Sequence, residues 1–172
     1  HGHQDAVTAA CMIALLAHQR LYHKTRFSEL WASVRDDVDI ADPDTISWLD
    51  HCAASVLPDH ELLLGEYASY GVPYTDSRIF LGAVVFLLTR FGDDPCRLLT
   101  GAISLGGDTD TVAAVVMGIA LARGAEESRI WELAEEIEDG PYGKKYLVSV
   151  GDALSERYNP VSYTHLRAHE TP

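Results

Sequence analysis

Two glycines followed by three oxygen-bearing side chains mark the one stretch of this 172-residue chain whose spacing points to chemistry: Ser104-Leu105-Gly106-Gly107-Asp108-Thr109-Asp110-Thr111. Gly106 and Gly107 release the backbone from the preceding helix and let it pass close to another group. Asp108, Asp110 and Thr111 then fall at the start of an apolar helical pattern, Val112, Val115, Val116 and Ile119. Carboxylate and hydroxyl oxygens are the hard ligands that Mg2+ and Ca2+ take. Residues three apart on a first turn share a face, so these oxygens can converge ahead of the helix end. The same residue types also cap helices and suit the positive end of the helix dipole. Capping needs one oxygen and the segment presents three, so metal binding and capping both stand as readings.

No other constellation competes. There is no Ser/His/Asp or Cys/His nucleophile set, and no phosphate-loop lysine follows Gly106-Gly107. His18, His23, His51 and His60 lie on or beside helices without mutual metal spacing and read as surface or hydrogen-bonded residues. His1 and His3 form a His-x-His pair at a frayed end. Trp31, Trp48 and Trp131 fall at apolar helical positions suited to packing between helices. Glu126, Glu127, Glu132, Glu135, Glu136, Glu138 and Asp139 read as a solvated helix face.

The elements that position the motif are helices. Ala6, Ala9, Ala10, Ile13, Leu16, Ala17 and Leu21 form an apolar stripe at helical spacing. Ser28 is expected to cap a short helix with Leu30, Trp31 and Val34. Asp42-Pro43 and Asp94-Pro95 each place a capping oxygen before a proline suited to the first turn. Ile46, Leu49, Ala53 and Val56 follow the first pair, and Leu98, Leu99, Ala102 and Ile103 the second. The stretch Asp59–Tyr70 breaks at Gly71-Val72-Pro73, after which Thr75 or Asp76 opens a helix through Ile79, Ala83, Phe86 and Leu87 to Gly92. The helix after the motif is expected to end at Gly124. Ile130, Leu133, Ala134 and Ile137 mark one more helix, and Leu147, Val150, Gly151 and Leu154 the last. No window alternates with period two long enough for a strand, which predicts one compact all-α domain.

Composition narrows the class. Apolar residues make up 47% of the chain, enough to build a core. With 13 Lys+Arg against 26 Asp+Glu the net charge is −13, which opposes nucleic acid and anionic membrane surfaces as partners. No apolar run approaches a membrane span, and the N-terminal stretch given is not expected to act as a signal peptide. Cys11, Cys52 and Cys96 are an odd set without Cys-x-x-Cys spacing, as in a reducing compartment, and a cytoplasmic protein is expected. The chain opens at His1 without Met, as if cut from something longer. Val161–Pro172 (VSYTHLRAHETP) has no apolar period, resembles translated sequencing-adapter read-through and is set apart as a non-native tail, its His165 and His169 included. Residues 1–160 are left as the domain.

The run Ala102-Ile103-Ser104-Leu105-Gly106-Gly107-Asp108-Thr109-Asp110-Thr111, with Val112-Ala113-Ala114 after it, closely resembles the C-terminal metal motif of the ADP-ribosylglycohydrolase family. The order of segments is similar too: an alanine-rich helix after a His-containing entry, a glycine-containing loop before the helix at Asp76, then the motif. The resemblance covers roughly residues 1 to 158, the C-terminal half to two-thirds of such a protein. It implies an all-helical fold, a cleft for ADP-ribose or an ADP-ribosylated protein, and two Mg2+ ions.

The resemblance makes Asp108, Asp110 and Thr111 metal ligands and places His1 near the substrate cleft. Gly106 and Gly107 become backbone surface beside that cleft, and Gly71 part of a loop touching ligand. Tyr67, Tyr70 and Tyr74 either stack on adenine or, more simply, pack their loop. The family's N-terminal Thr-Asp-Asp cluster and acidic flap residue have no counterpart here, and Asp36-Asp37 lies in the wrong place to replace them. The resemblance thus implies half an active site for glycosidic hydrolysis, or else a non-catalytic, ADP-ribose-binding or crystallin-like structural relative.

Overall fold

A computed structural model describes residues 3–35, 42–55, 63–122 and 128–167, with backbone alone at Ser128 and over 158–167. His1, Asp36-Asp37, Val56, Asp59, His60, Leu62, Gly124, Glu126, Glu127 and His169 lie outside the described residues. The order is α1 (Gln4–His18), a π turn (Gln19–His23), α2 (Phe27–Val34), α3 (Pro43–Ala54), a 3-10 turn (Gly65–Tyr67), α4 (Ser77–Phe91), α5 (Pro95–Ser104), α6 (Thr109–Leu121), α7 (Ser128–Glu135) and α8 (Lys144–Arg167). The fold is all-α. Among the described residues, extended pairing is limited to one parallel bridge, Val72 to Gly107, and no helix is long and apolar enough to cross a membrane.

Contacts gather the chain into two units, residues 1–126 and 127–172. In the first, α4 is the central element and touches α1, α2, α3, α5 and α6. Its sequence is apolar all round, and Leu81 through Leu88 are buried without interruption, the pattern of a helix enclosed by others. Met12 and Leu16 of α1, Leu30 and Val34 of α2, Leu49 and Cys52 of α3, and Val112 and Val116 of α6 join the same core. Burial of the Cys52 side chain pushes its thiol up to about 12, an inert small hydrophobe. Trp31 is buried and Trp48 half-buried, as expected.

In the second unit, Lys144 pairs with Glu135 and Lys145 with Asp139 around the start of α8. Tyr142 and Tyr146 meet edge to face. Trp131 is 52% exposed, and Leu133 and Ile137 of the same short segment are exposed as well. The acidic residues Glu132, Glu135, Glu136, Glu138 and Asp139 are exposed, as a solvated face requires. Helix α8 extends through Val161–Arg167, into the stretch set apart in the sequence.

Aspartates start three of the helices. Asp42 accepts from the Asp44 and Thr45 amides, Asp76 from those of Arg78 and Ile79, and Asp94 from that of Arg97. Pro43 and Pro95 stand in the first turn. The Thr45 hydroxyl and amide hold the Asp42 carboxyl below its ordinary value. Helix α2 departs from expectation: it starts at Phe27 behind an extended Arg26, with Ser28 inside the first turn. Packing decides this start, because Phe27 is buried and the Arg20 guanidinium stacks 4.2 Å over its ring.

The contact that sets the candidate site lies between two loops. Val72 donates its amide to Gly106 O at 3.0 Å and accepts at its carbonyl from the Asp108 amide at 2.8 Å. Gly71, Gly106 and Gly107 all have left-handed backbones, with φ of 87°, 72° and 71°. A Cβ on Gly71 would lie 2.1 Å from the Gly106 carbonyl carbon, and one on Gly107 2.2 Å from Val72 O. Only glycine meets both demands. Val72 and Leu105, each almost wholly buried, anchor the crossing from either side.

Two tests follow from these contacts. Gly71→Ala should lower unfolding stability by roughly 2–4 kcal/mol, whereas Gly65→Ala, left-handed but with open space around its Cβ, should cost only about 1 kcal/mol. Equal losses in urea titrations would deny the crossing its role. The second test concerns Asp50, which accepts from Trp31 Nε1, Arg35 Nε and Arg35 Nη2, each at 2.8 Å, and ties α3 to α2. The Arg35 hydrogen bonds, with that of Trp31, hold the Asp50 carboxyl below its ordinary 3.8. A depressed carboxyl contributes stability above its unfolded value and loses it as pH falls through the folded one. Asp50→Asn should therefore cost about 1 kcal/mol near neutral pH, a figure reduced for partial exposure, and the gap to the parent should close below about 3.8. A gap independent of pH would show that charge plays no part.

Candidate functional site

The crossing of the two loops sets where Asp108 stands. Its amide is committed to Val72 O, and its backbone (φ −76°, ψ 56°) departs from the extended geometry of the other three aspartate caps. In consequence the Asp108 side chain accepts no backbone N–H of α6. Its Oδ1 instead accepts from the Thr111 hydroxyl at 2.8 Å, three residues on and on the same face. Of the four aspartates at described helix N-caps, Asp108 alone does not cap. Simple capping is therefore not what occupies this carboxylate. Asp110, on the same first turn, is exposed.

Asp108 and Thr111 line a cleft of about 270 Å³, near the lower end of small-ligand pockets, roughly 300–1,000 Å³. One wall is the alanine face of α1, where Ala6, Ala9, Ala10 and Ile13 leave room that larger side chains would fill. The opposite side is made by Pro73 and Tyr74 and by Asp76, Ser77 and Phe80 at the start of α4. Asp76 reaches this place because it follows the crossing directly. One of its oxygens, Oδ1, is held by the α4 amides. Two carboxylates thus face the cleft, and none of the described residues lining it is Lys, Arg or His.

The sequence-predicted residues divide accordingly. Asp108 and Thr111 are brought together and into the cleft, and Asp110 sits beside them without lining it. Gly71, Gly106 and Gly107 are brought together too, but against one another in the loop crossing, and none of them lines the cleft. His1 lies outside the described residues; His3 is exposed, with Nδ1 3.5 Å from an oxygen of Asp5. Tyr70 and Tyr74 are 81% and 88% exposed, so loop packing is not their use, while Tyr67 is half-buried against the core. Burial raises the Tyr67 phenol above its ordinary value, with Glu66 and Asp76 adding to the shift.

Sequence reasoning missed Asp76, Ser77 and Phe80 as cleft residues. Asp76 was legible as a cap, and the Gly71-Val72-Pro73 break just before it was the available signal for something more. The donors fit a hard cation in type: carboxylate and hydroxyl oxygen at a cleft without a compensating positive side chain. They are partial in number. Among the described residues no three of His, Cys, Asp and Glu lie close enough to hold a metal by themselves.

Comparison with curated proteins and with solved structures gives no match. The sequence pattern of the ADP-ribosylglycohydrolases matches residues 1–159 of the 172. With that match spanning nearly all of it, the chain belongs to the ADP-ribosylglycohydrolase family.

Proposed function

We propose that this chain contributes part of the active centre of a Mg2+-dependent hydrolase, which cleaves the glycosidic bond between ADP-ribose and a protein side chain or related acceptor. The observation that carries the reading is the Asp108 carboxylate, which sits at a helix N-cap, makes no cap and lines a cleft with Thr111. Asp108 and Asp110 would hold the ion through carboxylate oxygens. Thr111 gives its proton to Asp108 and so keeps its lone pairs for a cation. Mg2+ takes six oxygens in octahedral geometry, so water, substrate or further protein groups complete the shell. A metal held by these oxygens would supply Lewis acidity toward the ribose hydroxyls and toward a water that attacks the anomeric carbon, where positive charge develops.

The remaining cleft residues bind and orient. The alanine face of α1 admits a flat apolar surface, and exposed Tyr74 offers a ring on which adenine can stack. A diphosphate meets Asp76 and Asp108 there and no positive side chain among the described lining residues. ADP-ribose should therefore enter only with cations that offset that charge.

Calorimetric titration checks the metal site. Asp108→Asn and Asp110→Asn should each weaken Mg2+ binding roughly 10–100-fold while leaving helix content unchanged; affinity equal to the parent's would remove the residue from the site. Without metal, Asp94→Ala should cost about 1 kcal/mol as a lost cap, and Asp108→Ala distinctly less. ADP-ribose should bind in Mg2+ and not in chelator. The reading frame containing this chain, assayed on ADP-ribosylated arginine and serine peptides, decides the activity. Metal-dependent release would establish the hydrolase; binding without release would assign a non-catalytic, crystallin-like or ADP-ribose-binding member.

A further inference from the structure

On an α-helix, residues five apart point about 140° away from each other, which is why His18 and His23 lack metal spacing in the sequence. The structure corrects that reading. Gln19–His23 forms a single π turn directly after α1, and its i→i+5 hydrogen bonding brings the fifth residue back beside the first. The imidazole centres of His18 and His23 lie 5.2 Å apart with planes inclined at 52°. Both side chains are exposed.

The widened turn is held from outside itself. Thr25 Oγ1 donates to Gln19 Oε1 at 3.1 Å, and Arg20 Nη1 donates to Thr25 O at 3.3 Å. Arg20 is itself stacked over buried Phe27. Lys24 ends the turn with a left-handed backbone, φ 58°, which costs a non-glycine residue roughly 1–2 kcal/mol. Three linked contacts thus maintain, against the strain at Lys24, a rare register that sets the two histidine rings side by side. Turns of this kind often stand at functional sites.

We propose that His18 and His23 form a two-imidazole site for a borderline divalent cation, Zn2+, brought into register by the π turn. Ring centres 5.2 Å apart lie within the span that two Zn–N bonds of about 2.1 Å can bridge. Water would complete the shell of an ion held there. No Asp or Glu occurs between Asp5 and Glu29, and Arg20, Lys24 and Arg26 are positive. Their charge opposes any divalent cation alike, so it is the imidazole nitrogens, with no carboxylate oxygen in this stretch, that favour zinc over magnesium. His18 stands about 7.5 Å along α1 beyond Ile13, the last α1 residue at the cleft, and neither His18 nor His23 lines that cleft, so the proposal does not rest on the hydrolase reading.

The test titrates the full chain with Zn2+ in excess Mg2+, on a His3→Ala background that removes the terminal His-x-His pair. His18→Ala and His23→Ala should each weaken one Zn2+ equivalent at least about tenfold, because the second imidazole acts at high effective concentration. His51→Ala should leave it unchanged. An unaltered titration in either single variant overturns the proposal. His18→Gln and His23→Gln, with circular dichroism to confirm folding, serve as second variants. Imidazole NMR provides a separate readout: Zn2+ should shift the rings of both residues together, and a shift confined to one would also overturn it.

Discussion

Everything near the cleft depends on two short loops crossing backbone to backbone. Gly71-Val72 and Gly106-Gly107-Asp108 exchange hydrogen bonds at 2.8 and 3.0 Å, a distance that no Cβ on Gly71 or Gly107 would allow. Each loop runs straight into a helix, α4 in one case and α6 in the other. Fixing the loops therefore fixes both helix starts, and with them Asp76 and Asp108 on one cleft. The glycines serve the carboxylates indirectly, by determining where the backbone that carries them may go.

The scaffold below is built to keep that crossing in place. Helix α4 is buried through Leu81–Leu88 and is touched by five other helices, so its N-terminus cannot shift without disturbing most of the core. Val72 and Leu105 tie the loops to the same core. The small residues of α1 do the opposite work: Ala6, Ala9 and Ala10 decline to fill the space beside α4 and leave a cleft. Rigid backbone and an unfilled volume together give a site on elements rather than on free loops.

Four aspartates at helix starts show how one residue type takes two roles. Asp42, Asp76 and Asp94 give oxygens to helix amides, which satisfies donors that would otherwise lack partners. Asp108 has its own amide pinned by Val72, and its carboxylate turns to Thr111. The difference is a backbone torsion imposed by the crossing. Two of these carboxylates, Asp76 and Asp108, face one cleft in a chain of net charge −13. The π turn at the far end of α1 presents the reverse chemistry, neutral nitrogen ligands among positive side chains.

Much of this was determined locally and was legible without coordinates. Helical periodicity, the Asp-Pro starts and the Gly106–Thr111 run follow from 3.6-residue spacing and from side chains acting on their own backbone. Tertiary structure alone decided the rest. The start of α2 was set by burial of Phe27 beneath Arg20, not by Ser28. The meeting of Gly71 with Gly106 and Gly107 joins loops more than thirty residues apart in sequence, and no local pattern encodes that pairing. The same holds for Asp76, whose capping role was visible and whose place in the cleft was not. His18 and His23 came together only because contacts with Thr25 and Phe27 stabilise a π register against the α register that periodicity assumes. Local sequence governs what each segment can become, whereas burial and long-range backbone pairing decide which side chains finally face one another.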